Sequence, residues 1–142
     1  MSADGLKDDD IRTILGDVKV IALVGASPNP DRPSYRVMQY LISRGYRVIP
    51  VNPGQAGKVL HGQPVVARLA DIGEPVDMID VFRAADALPG VVEEALAMPH
   101  RPKVIWGQLG VSHPEAAEKA GKAGLTMVMD RCPAIEIPRL GL

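Results

Sequence analysis

The sequence has little of what marks a secreted, membrane-bound or nucleic-acid-binding protein. One of its 142 residues is cysteine, Cys132, so no intramolecular disulfide can form and nothing calls for an oxidising compartment. No uninterrupted apolar run approaches the roughly 20 residues of a membrane span. The stretch from Met1 to Asp10 is polar and acidic and carries no apolar signal core. The formal net charge is −1, whereas a general nucleic-acid or membrane-surface role needs a basic excess. A soluble cytoplasmic protein is the expectation. Aromatic residues are scarce, at 4%. Acidic residues are missing locally: none lies between Arg32 and Ala70, a span that holds Arg32, Arg36, Arg44, Arg47, Lys58 and Arg68.

What the chain does have is aliphatic bulk. Hydrophobic residues make up 46%, mostly Val, Ile, Leu, Ala and Met. That bias suits a parallel sheet buried on both faces by helices. The length suits one domain, 1–142, around one core.

Local patterns divide the chain into alternating elements. A short helix is expected over 8–15, with its aspartates at the positive N-terminal end. Apolar runs at 18–24, 46–51, 76–82, 103–106 and 125–129 read as strands. Between the first two, Pro33 fits the first turn of a helix to Arg44, and Gly45 suits the left-handed residue after it. A short helical turn fits 69–72 in an otherwise unreadable stretch, 55–73. Asp86 is the expected N-cap of a helix ending near Met98, and Ser112 with Glu115 has capping-box spacing for a helix to Ala123. After the fifth strand a short tail is expected. The alternation predicts a doubly wound, mainly parallel five-stranded sheet in the order 3-2-1-4-5, with helices on both faces.

In such sheets ligands bind beyond the carboxyl ends of the strands, where the strand order reverses. The expected order puts the first and fourth strand ends at that crevice. The first exit, Gly25-Ala26-Ser27, is a strand-to-helix turn whose outward N–H groups and helix dipole favour an anion. The later glycines of a dinucleotide fingerprint are absent, so an ordinary turn is the competing reading. NAD sites place an acid near the end of the second strand, and Asn52 stands there instead. That favours a ligand with an extra phosphate, either coenzyme A or NADP. Arg32 and Lys58 are read as facing the crevice, Arg44 and Arg68 as solvated surface.

Five segments, IALVGASPNPDRPSYRVMQYL, GYRVIPVNP, VDMIDVFR, IWGQLGV and VMDRCPAIE, resemble in order the bacterial family of small CoA-binding-domain proteins. That family is similar to the N-terminal domain of the succinyl-CoA synthetase α subunit and Rossmann-like in fold. The resemblance implies that Gly25, Ala26, Ser27, Arg32, Pro33 and Ser34 hold the CoA phosphates. It implies Asn52, Pro53 and Lys58 along the nucleotide, Val81, Phe82 and Arg83 at the adenine side, and Trp106, Gly107 and Gln108 toward the pantetheine.

Catalytic machinery is harder to assemble. The synthetase chemistry uses a phosphorylated histidine in a further domain and a second subunit, neither of which fits in this length. His100 and His113 read as surface residues, and His61 is unassigned. No metal-ligand spacing is present. Cys132 follows the fifth strand beside Arg131 and is a weak candidate thiol, with burial as a small apolar residue the commoner outcome. Asp80 falls in a strand buried on both faces, so an Arg or backbone partner is expected for it. The expected role is a binding, sensing or carrier module for CoA or acyl-CoA, with an acyl-transferring protein as a partner that reading allows. The rival is an NADP-binding oxidoreductase or redox sensor, and a third reading is a structural partner with a vestigial crevice.

Overall fold

The computed structural model describes residues 3–142; Met1 and Ser2 of the polar N-terminal stretch lie outside them. In chain order the elements are α1 (Asp8–Asp17), β1 (Val20–Val24), α2 (Pro33–Ser43), β2 (Arg47–Val51), a hairpin of β3 (Val59–Leu60) and β4 (Gln63–Pro64), and β5 (Met78–Val81). Then come α3 (Leu88–Leu96), β6 (Val104–Gly107), α4 (Pro114–Lys122), β7 (Thr126–Val128) and α5 (Pro133–Arg139). Every pairing in the main sheet is parallel, in the order β2-β1-β5-β6-β7.

Both faces of the sheet are buried. One packs Ala22, Ile79, Val81 and Ile105 against Leu88, Val92 and Ala95 of α3 and Ala116 and Ala120 of α4. The other packs Ile21, Leu23, Met78 and Trp106 against α1, α2 and α5 through Ile11, Met38, Leu41 and Ile137. This is the doubly wound, Rossmann-like α/β class expected from the alternation.

The 3-2-1-4-5 pattern is present with its third strand almost erased. Val66 makes one parallel bridge to Val51, on the outer side of β2. Counting that bridge as the third strand, β5 becomes the fourth. The segment 76–82 therefore sits beside β1 and not at the sheet edge. The bridge is so short because the chain spends the preceding residues on a 3-10 turn, Pro53–Gln55, and on the hairpin.

Several local expectations need correction. Asp86 caps no helix: it lies in a 3-10 turn, Ala85–Ala87, that leads directly into α3. The N-cap of α4 is His113, whose Nδ1 accepts from the Ala116 N–H at 3.1 Å, while the Ser112 hydroxyl faces the Met129 sulfur. Pro114 occupies the first helical position and so moves the cap one residue along. The tail after Cys132 is a helix, α5, despite Pro133 and Pro138. Pro133 falls in the first turn, where its missing N–H has no intrahelical partner to lose.

Candidate functional site

The strand order reverses between β1 and β5, so the crevice opens at their carboxyl ends. Val81-Phe82-Arg83 is the strand end directly beside Gly25, and the exit after Trp106, expected to flank the crevice with Gly25, lies one strand further on, with Gln108 and Leu109 on the cavity wall. Gly25 makes the β1 and β5 exits touch. Its φ is +88°, and a Cβ there would lie 2.4 Å from the Phe82 carbonyl oxygen, so no other residue fits without opening the strand ends.

The first loop uses part of its own polarity internally. The Gly25 and Ala26 N–H groups, expected to face a ligand, both donate to the Val51 carbonyl, at 3.0 and 3.3 Å. The Ser27 hydroxyl accepts from the Asn29 N–H at 3.1 Å. The positive pole facing the crevice is therefore the first turn of α2, at Arg32-Pro33-Ser34, although the Arg32 N–H donates to the Asn29 carbonyl and the Tyr35 N–H to the Arg32 carbonyl. Asn52 joins the first two loops: its Nδ2 donates to the Ala26 carbonyl at 2.7 Å, and its Oδ1 accepts from the Gly54 N–H at 2.9 Å.

Two adjoining cavities share Gly25, Asn52 and Arg83. The larger, about 490 Å³, is lined by the 25–27 loop, the start of α2, Phe82, Gln108, Leu109 and Val111. The smaller, about 260 Å³, lies between the β2 exit and α3, with Pro53, Arg68, Leu69 and Glu94 on its walls. Among the described residues neither Arg32 nor Arg83 has an acidic partner. Arg68, read from sequence as plain surface, lines the smaller cavity and pairs loosely with Asp71 at 3.6 Å. Exposed guanidiniums, a helix N-terminus and close backbone approach together favour an anion rich in phosphate.

Of the residues singled out from sequence, Gly25, Ala26, Ser27, Arg32, Pro33, Ser34, Asn52, Pro53, Phe82, Arg83 and Gln108 converge on this crevice. Four stand apart. Lys58 is exposed just before the hairpin and lines neither cavity. Val81 and Trp106 are fully buried, and the Trp106 Nε1–H donates to the Arg131 carbonyl at 2.8 Å. Gly107 is needed by its own chain, since a Cβ would meet the Val111 carbonyl oxygen at 2.5 Å. Leu109, Val111 and Glu94 were missed. Leu109 and Val111 had a signal in their position at a strand exit, but Glu94 had none, because its helix shows two adjacent glutamates of equal standing.

Beneath the crevice the buried polar groups are not an acid–base set. Asp80 is fully buried and neither carboxylate oxygen has a hydrogen-bond partner, contrary to the expected Arg or backbone contact. Burial alone pushes its carboxyl well above the usual range, which favours the neutral form over a pairing with a cation. Burial likewise pushes the Cys132 thiol up, and Arg131 does not lower it because that guanidinium is held by Asp4 and Glu136. A reactive thiolate needs the opposite environment. The His61 ring lies 4.2 Å from that of Tyr35, tilted by 55°, with Nε2 3.0 Å from the Tyr35 carbonyl, and so fastens the hairpin to α2. Among the described residues no group of three His, Cys, Asp or Glu could hold a metal, and no helix is long and apolar enough to cross a membrane.

Known proteins share this architecture. The chain is 40% identical over 123 residues to the uncharacterized protein YneT of Bacillus subtilis (strain 168), spanning 87% of this chain and 88% of that one. A solved structure from Thermus thermophilus, cell-free ID.343, matches with a TM-score of 0.89 and 44% identity over 95% of this chain and 99% of its own. A hypothetical protein from Pyrococcus horikoshii OT3 matches with a TM-score of 0.92 and 39% identity over 100% and 97%. The profile of the CoA binding domain matches residues 19–138, nearly all of the sheet and its helices, and the chain belongs to the CoA-binding domain family.

Proposed function

We propose that the chain binds coenzyme A, free or acylated, at the carboxyl edge of its sheet, as a binding, sensing or carrier module in the cytoplasm. The observation that carries this reading is the pair of cations without acidic partners, Arg32 and Arg83, set around Gly25 in a chain of this family. Coenzyme A brings a pyrophosphate and a 3′-phosphate, and the two adjoining cavities suit a long ligand with a charged middle. Gly25, Ala26, Ser27 and the 32–34 turn would surround the pyrophosphate. Asn52, Pro53, Arg68 and Arg83 would follow the nucleotide, and Phe82 and Gln108 the pantetheine. Any acyl transfer would fall to a protein partner. NADP is the second reading, supported by Asn52 standing where NAD sites carry an acid.

The test is thermal unfolding of the ligand-free protein with coenzyme A, acetyl-CoA, NAD and NADP at matched concentrations. A ligand present at about 100 times its dissociation constant stabilises the fold by about 2.7 kcal/mol. The expected result is a rise in Tm with coenzyme A or acetyl-CoA and none with NAD. A rise with NADP alone replaces the reading, and no rise with any of the four leaves a vestigial crevice.

A further inference from the structure

Asp80 sits in β5, the middle strand of the sheet, fully enclosed and with no hydrogen-bond partner for either carboxyl oxygen. In register with it are Leu23 of β1 and Trp106 of β6, and strand alternation puts all three side chains on the face covered by α1, α2 and α5. Leu23 has no donor. Trp106 has one, but its Nε1–H already donates to the Arg131 carbonyl at 2.8 Å. The helices bring no free cation to this face. α1 and α2 bury only apolar side chains and Ser34 there, with Tyr35, Tyr40 and Tyr46 at the margin. α5 and its cap bring Cys132 and Glu136. Glu136 is held by Arg131 and Arg139, and Arg131 also by Asp4. Cys132 is close enough to Asp80 for a charge on one to oppose ionisation of the other.

A carboxyl in that setting keeps its proton, because its charged form would leave water with nothing to replace it. Its position in the strand ties it to the crevice. Two residues on, the Phe82 N–H donates to the Val24 carbonyl at 2.8 Å, and the Phe82 carbonyl lies against Gly25. This is the nearer end of β5, so a charge on Asp80 would gain water soonest by parting the strands there.

We propose that Asp80 is a pH-sensitive latch: the β1 and β5 exits stay packed while it holds a proton, and the domain loosens as the pH rises and the proton leaves. The sign follows from linkage. A carboxyl that binds its proton more tightly in the folded state gives its full stability below its unfolded pKa, about 3.9, and loses it as the pH climbs from there toward the folded value. The test is urea unfolding of the unaltered protein and of Asp80→Asn between about pH 4 and 8, read as the ratio of their folding constants. In that ratio the acids whose surroundings the substitution leaves alone cancel. The expected result is a fall of at least about tenfold between pH 5 and 7, the limit for one proton being tenfold per pH unit. Asp80→Leu, of similar size and without polar atoms, gives the same reading if the asparagine variant does not fold. Should both fail, the ¹³C carboxyl resonance of Asp80 in the unaltered protein decides, with a protonated group expected at about pH 6, where exposed acids have ionised. A ratio that is flat or rises with pH, or a carboxyl that ionises together with the exposed acids, overturns the latch. No ligand enters the test, so its outcome is independent of the coenzyme A reading.

Discussion

Arginines stand at three exits along the carboxyl edge of the same sheet and are treated in two opposite ways. At the exit of β7, Arg131 is enclosed. Its Nε and Nη2 reach the two oxygens of Asp4 at 2.9 and 3.1 Å, Nη1 reaches Glu136 at 3.2 Å, and Nη2 also donates to the Leu6 carbonyl. Asp4 in turn accepts from the Met129 and Leu6 N–H groups, and Glu136 extends the network through Arg139 to Asp8. At the exits of β1 and β5, Arg32 and Arg83 have no such partners among the described residues. One cation type, on one edge, is structural where the fold supplies acids and open to a ligand where it withholds them. For Arg32 the acid-free span as far as Ala70 contributes to this; Arg83 lies outside that span.

Breaking the enclosed side has the largest expected effect. Arg131→Ala leaves Asp4 buried without its cation and Glu136 with Arg139 alone, and such losses cost about 3–5 kcal/mol; urea unfolding measures it, and a change below 1 kcal/mol contradicts a structural role. Gly25→Ala strikes the open side through its backbone. Strain of this kind costs about 1–3 kcal/mol, and here it also displaces the Phe82 carbonyl, so coenzyme A binding is expected to vanish while the protein still folds. Retained affinity in a folded Gly25→Ala protein speaks against the crevice as the site. Arg83→Gln sharpens the contrast, since it is expected to change stability by no more than about 0.5 kcal/mol yet weaken ligand binding about tenfold, as a charged hydrogen bond is lost. A fall in Tm without a fall in affinity reverses that assignment.

The smallest effect is one of acidity. Burial raises the Asp4 carboxyl, but hydrogen bonds from Arg131 and from the Met129 and Leu6 N–H groups outweigh it and hold the group below its ordinary value. A carboxylate depressed in the folded state contributes stability above its unfolded pKa, about 3.9, and loses it as the pH falls through the lower folded pKa. Asp4→Asn should remove that acid-side slope. Unfolding curves collected below about pH 4 would show the two proteins converging; parallel curves exclude the linkage.

Most of the fold was legible because it rests on local signals. Apolar runs bounded by glycine and proline mark the five full strands, and Pro33 and Gly45 bracket α2. The third strand was not legible, since a single bridge at Val66 leaves no periodic pattern. Nor was α5, where only a short tail is expected, although Pro133 sits in the first helical turn and Pro138 lies within the helix. At the site, the loops from Gly25 and Asn52 could be read as strand exits. The buried side of β6 could not: the run IWGQ does not say that Trp106 points into the core and Gln108 into the cavity wall. Asp80 was read correctly as buried and wrongly as paired, because pairing is the usual solution and protonation the rarer one.

The clasp between Asp4 and Arg131 joins residues 127 positions apart. On a ribosome, α1 and the first strand emerge long before their partners at the far end of the sheet exist. Until Arg131 and Glu136 leave the exit tunnel, Asp4 has nothing to hold, and the edge of β6 lacks β7. The clasp is a late, long-range closure, the kind of contact that slows folding because the loop it shuts must be closed before the contact forms. The domain is therefore expected to complete itself only once Arg131 and Glu136 have emerged, with its ligand-facing exits at β1 and β5 already side by side.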